Sequence, residues 1–138
     1  MAAYIAVVDD NPDLSIVLCA LLTDEGYQAL PIRLPVTAHK LLQIQAPEVI
    51  IQDLDFGGRA AGVQLLSSIR QDPALASIPV IVCSADVVLL KKHHDAFDRY
   101  GYRVVTMPFD LDDILSAVRA ALETAPDPAH DALALGGV

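Results

Sequence analysis

The chain has 138 residues, 54% of them hydrophobic, with 18 Asp and Glu against 9 Lys and Arg and a formal net charge of -9. That length and apolar content fit one domain with a sizeable core and exclude a disordered chain. The acidic balance argues against direct nucleic-acid binding, which needs a basic patch; Lys91-Lys92-His93-His94 is one short cluster.

No apolar run reaches the roughly 18–20 residues of a membrane span. The opening residues lack the basic start and small-residue cleavage site of a secretory signal, so a cytoplasmic location is expected. Cys19 and Cys83 both lie in apolar stretches and read as buried free thiols of a reducing compartment.

Tyr4–Val8 reads as the first strand and runs into Asp9-Asp10. Asn11-Pro12 opens the first helix, Leu14, Val17, Leu18, Leu21 and Leu22 recur at helical spacing, and Gly26 ends it. Tyr27–Ile32 is a weaker strand whose Pro31 assigns it to a sheet edge. Val36–Gln45 is a short helix. Glu48–Asp53 is the third strand, followed by a Gly57-Gly58-Arg59 loop and a helix marked by Val63, Leu65, Leu66 and Ile69. Val80–Cys83 is the fourth strand, running into Ser84. Val87–Tyr100 is expected as one helix closed by Gly101, and Tyr102–Thr106 as the fifth strand. Asp110 and Asp113 are spaced to cap a last helix carrying Leu111, Ile114, Leu115, Val118 and Leu122. Residues 1–123 are expected to form the domain and residues 124–138 a flexible tail.

Strands alternating with helices predict an α/β fold. The expected architecture is a doubly wound, five-stranded parallel sheet of order 2-1-3-4-5, flavodoxin-like. Such sheets bind ligands beyond the carboxyl ends of their strands. Asp9, Asp10 and Asp53 should meet there, with Ser84 beside them. Carboxylates this close raise one another's pKa unless a cation intervenes, and Mg²⁺ suits oxygen ligands of this kind. A carboxylate can also attack phosphorus to form an aspartyl phosphate, and Ser84 can donate to a phosphoryl oxygen.

Val8-Asp9-Asp10, the run Pro47–Asp53, Ser84-Ala85 and Pro108-Phe109 resemble the receiver domain of two-component response regulators over roughly residues 3–122. The resemblance implies that Asp53 is the phosphoacceptor, that Asp9 and Asp10 with Asp53 hold Mg²⁺, and that Ser84 is the switch hydroxyl. It implies a phosphohistidine donor on a sensor kinase or phosphotransfer protein. It also implies a downstream protein partner, met through the fourth helix, fifth strand and fifth helix with Lys91, Lys92, Arg99 and Tyr102. A stand-alone receiver is expected, with no membrane partner and no direct nucleic-acid partner; a homodimer is open.

The chain departs from the family pattern. Met107 stands where the family has a lysine, and Val104 where it has an aromatic switch residue. Asp55 adds a fourth carboxylate, and the loop after Asp53 is one residue longer. Weak phosphorylation is the expectation, with Arg59 or Lys91 as candidate replacement cations. Two alternatives stand beside it. One is a degenerate receiver that acts as a phosphorylation-independent interaction module. The other is a phosphatase of the haloacid-dehalogenase type, from the Asp53-Leu54-Asp55 spacing. That motif usually follows the first strand of the core, and here it follows the third.

Overall fold

The structure, a computed structural model, describes residues 2–124. Aliphatic runs form three central strands, β1 (Tyr4–Val8), β3 (Val49–Asp53) and β4 (Val80–Ser84). The shorter or more polar runs β2 (Gln28–Ile32) and β5 (Arg103–Thr106) lie outside them. All pairings are parallel, in the order β2-β1-β3-β4-β5, as the sequence pattern predicts. Pro31 does lie on an edge strand, opposite Val7, where its missing N–H costs no ladder bond.

Helices connect the strands: α1 (Pro12–Asp24), α2 (Pro35–Gln45), α3 (Arg59–Gln71), α4 (Val87–Lys92), α5 (His94–Tyr100) and α6 (Leu111–Thr124). Asn11 caps α1, its side chain accepting from the N–H groups of Asp13 and Leu14, and Pro12 occupies the first turn. At α6 the Asp113 carboxylate accepts from the Asp110 N–H at 3.2 Å, half of the expected box.

Several boundaries differ from expectation by one residue, and three differences bear on the site. Ser84 belongs to β4, and Arg59 is the first residue of α3 instead of a loop residue. The expected helix Val87–Tyr100 is divided at His93. No α4 side chain is fully buried, and only the half-buried Leu89 and Leu90 pack it against the core, whereas the buried Phe97 anchors α5. The expected tail falls outside the described residues except for Thr124, and His130 lies outside with it.

Alternation along the strands sends successive side chains to opposite faces. Ala6, Val8, Ile50, Val80 and Val82 pack with α2, α3 and α5 through Leu42, Leu66, Ile69 and Phe97. Ile5, Val7, Val49, Ile51, Ile81 and Cys83 pack with α1 and α6 through Leu18, Leu22, Ile114 and Val118. Each such large aliphatic side chain contributes about 1.5–3 kcal/mol relative to exposure, and both faces of the sheet contribute. Cys83 is buried and Cys19 partly so; both are free thiols.

Candidate functional site

The register of the central strands sets the site. Val8 pairs with Gln52, and Asp53 pairs with Cys83. Asp9 therefore follows β1 at the level where Asp53 ends β3, and Ser84 ends β4 one residue farther on. Asp9, Asp10 and Asp53 each bring one carboxylate oxygen to within 4.8 Å of the others. Ser84 is fully buried and Asp9 nearly so, whereas Asp10 is exposed.

Backbone N–H groups hold these carboxylates in place. The Asn11 N–H donates to Asp9 Oδ1 at 2.9 Å, and the Asp55 N–H donates to Asp53 Oδ1 at 3.1 Å. The Gly57 N–H donates to Asp10 Oδ2 at 3.1 Å, drawing the β3–α3 loop over the cluster. The first helix is capped by Asn11, so Asp9 and Asp10 are free of that structural duty.

The electrostatics follow from crowding and burial. Desolvation pushes the Asp53 carboxyl up to about 6 against the pull of the Asp55 N–H, and the charges of Asp9, Asp55 and Asp10 push the same way. Asp9 is also raised, first by burial and then by the Asp10 charge, against the Asn11 N–H. Burial beside Asp53 and Asp9 pushes the Cys83 thiol up to about 12, which keeps it neutral and unreactive. Below the carboxylates, Leu14, Leu18, Ile51, Cys83 and Phe109 close a crevice with no room for a water molecule. The cluster thus faces an apolar floor. Its hard oxygen donors and raised proton affinity fit a small divalent cation.

Neither candidate replacement cation stands on the cluster. The Arg59 guanidinium lies 2.8 Å from Asp86 Oδ2, an ion pair between the start of α3 and the β4–α4 loop. Lys91 lines a cleft of about 390 Å³ with Leu90, Phe97, Tyr102 and Val104, and it forms no ion pair among the described residues. Met107 packs against the α1–α6 side of the core, and its N–H donates to the Ser84 carbonyl at 2.8 Å. The Met107–Pro108 peptide is cis.

Asp86 was not singled out from the sequence. Its N–H donates to Ser84 Oγ at 2.9 Å, and its Oδ1 accepts from the Leu89 N–H at 3.0 Å, capping α4. The available signal was an Asp directly before the apolar run Val87–Leu90, an N-cap pattern.

A family model, the response regulator receiver domain, matches residues 5–119. The nitrogen assimilation regulatory protein NtrX of Azorhizobium caulinodans is 31% identical over 125 residues, covering 90% of this chain and 27% of that protein. The transcriptional regulatory protein KdpE of Mycobacterium tuberculosis is 31% identical over 118 residues, covering 86% of this chain and 50% of KdpE. The chain thus spans half or less of the length of these curated relatives. Among solved structures, the receiver domain of NtrX from Brucella abortus superposes with a TM-score of 0.75 at 26% identity, covering 87% of this chain and 98% of that one. Chemotaxis protein CheY4 of Vibrio cholerae shares the fold, with a TM-score of 0.76 at 20% identity, covering 88% of this chain and 100% of that one.

Proposed function

The chain belongs to the response regulator receiver family, and from that premise we propose that it accepts a phosphoryl group on Asp53 in a two-component phosphorelay. The observation that carries this reading is the meeting of Asp9, Asp10 and Asp53 at one sheet edge, over a dry apolar floor. Receiver domains are generally non-catalytic signalling modules, and this chain is read as one, without turnover of its own.

A carboxylate oxygen of Asp53 attacks the phosphorus of a phosphohistidine on a sensor kinase or phosphotransfer protein. A P–O bond forms, the P–N bond breaks, and the departing imidazole nitrogen keeps the electron pair. With a pKa of about 6, Asp53 is mostly ionised at pH 7 and available as the nucleophile. The Asp55 N–H fixes Oδ1 and leaves Oδ2 as the oxygen free to attack. Ser84 Oγ accepts from Asp86, so its own O–H remains to donate to a phosphoryl oxygen. Receiver domains usually bind Mg²⁺ in an acidic pocket, and here Asp9, Asp10 and Asp53 would hold it. When bound, the ion offsets the negative charge of the carboxylates and of the phosphoryl oxygens.

Met107 in place of the family lysine leaves the site one cation short, which supports slow transfer. The same residue favours a second reading, a phosphorylation-independent interaction module. We place the domain in the cytoplasm, with a downstream protein partner and no direct contact to nucleic acid or membrane. Among the described residues no helix is long and apolar enough to cross a membrane.

Intact mass after incubation with Mg²⁺ and acetyl phosphate separates the two readings. The expected result is slow addition of one phosphoryl group, absent in Asp53→Asn. No addition, together with equal partner binding by wild type and Asp53→Asn, establishes the second reading instead.

A further inference from the structure

Resting on the phosphoacceptor reading above, we infer that Arg59 is the exchangeable cation of this site: it rests on Asp86 and passes to the phosphoryl group of Asp53. Both ends of the Arg59–Asp86 pair are tied to the cluster. Arg59 follows Gly57 by two residues, and the Gly57 N–H is hydrogen-bonded to Asp10. Asp86 follows Ser84 by two residues, and its N–H is hydrogen-bonded to the Ser84 hydroxyl. The ion pair therefore bridges the two loops that border Asp53.

The resting pair is weak. The Arg59 side chain is 73% exposed while that of Asp86 is 14% exposed, so most of the arginine side chain is already in water and the pair is screened. The contact is close at 2.8 Å, yet Asp86 Oδ2 is buried and receives no well-directed hydrogen bond. A phosphoryl group brings a charge of roughly -2 and three acceptor oxygens, and guanidinium binds such groups in a two-pronged fashion. The comparison favours transfer of Arg59 from a single, misaligned carboxylate oxygen to the phosphoryl group. The transfer also answers the deficit left by Met107. On release, Asp86 keeps its Leu89 cap but loses its tie to α3. Occupancy of Asp53 is then felt at the start of α4, which is held to the core only by the half-buried Leu89 and Leu90.

The inference predicts opposite effects from the two partners. Intact mass is followed over time with Mg²⁺ and acetyl phosphate for wild type, Arg59→Ala, Arg59→Lys and Asp86→Asn. Asn retains the helix cap, so Asp86→Asn frees Arg59 without removing the α4 N-cap. Arg59→Ala is expected to add phosphoryl about five-fold more slowly, the scale of one exposed ion pair. Asp86→Asn is expected to be faster than wild type, and Arg59→Lys to fall between wild type and Arg59→Ala. If Arg59→Ala does not fold, Arg59→Lys and Asp86→Asn still carry the test through their opposite signs. Uptake by wild type with both partners' variants slowed, or neither changed, overturns the inference alone. No uptake by wild type removes the phosphoacceptor reading and the inference with it.

Discussion

Asp53 carries a charge that the fold disfavours, and that cost has a pH signature. Its carboxyl is raised from 3.8 to about 6 in the folded protein, so the folded state holds this proton more tightly than the unfolded chain. Between those values the folded state binds more protons, and stability must fall as pH rises. The stability associated with the neutral form is complete below about pH 4 and lost by about pH 6–7. Asp53→Asn is therefore expected to stabilise the metal-free protein at pH 7 by about 1 kcal/mol, a discounted figure because the site opens to water. Urea denaturation in EDTA at pH 4 and pH 7 reads the effect; an equal gain at both pH values contradicts it. At this scale the meeting of Asp9, Asp10 and Asp53, and the place of Ser84 at the end of its strand, were legible in the sequence. Parallel pairing carries the ends of adjacent strands to one edge, whatever the loops do. It was silent on where Arg59 goes, because an ion pair between two loops depends on the path of each.

The β3–α3 connection places Arg59, and Gly62 holds that connection down. A Cβ at Gly62 would lie 1.8 Å from the Leu54 carbonyl oxygen, a backbone atom that cannot swing aside. The Gln52 side chain reinforces the contact by donating to the Gly62 carbonyl at 2.9 Å. The helix start is thus pressed onto the strand that ends in Asp53. Gly62→Ala should destabilise the fold by about 2–3 kcal/mol, in the range of severe overpacking. It should also slow phosphoryl uptake by shifting Arg59 and the loop N–H groups. A midpoint in urea unchanged from wild type rules this out. The sequence showed the apolar stripe of α3 but not this close approach, since a glycine inside a helical pattern has several explanations. The break at His93 was equally hidden. Val87–Tyr100 has a continuous helical pattern, and only the depth of burial distinguishes α4, held by the half-buried Leu89 and Leu90, from α5, anchored by Phe97.

On the scale of the whole molecule, two apolar layers sandwich the sheet and push the charged groups to its rims. The strand order was legible because the central strands open on unbroken apolar runs and turn polar only at their carboxyl ends, while Gln28 and Pro31 mark the second strand as an edge. The formal net charge of -9 destabilises any compact state by self-repulsion, and simple salt relieves that repulsion by screening. The carboxylate cluster adds a second, local repulsion of a different kind. A divalent ion bound by the folded cluster, and not by the unfolded chain, stabilises in proportion to the logarithm of its concentration. Mg²⁺ should therefore raise the melting temperature beyond NaCl of matched ionic strength, and the excess should grow as pH rises through about 6 and Asp53 ionises. Asp10→Asn removes one donor from the cluster while leaving the buried layers untouched. It should abolish most of the Mg²⁺ excess and leave the NaCl response in place. Equal stabilisation by the two salts in the wild type would mean that the cluster is no more than part of a diffuse acidic surface.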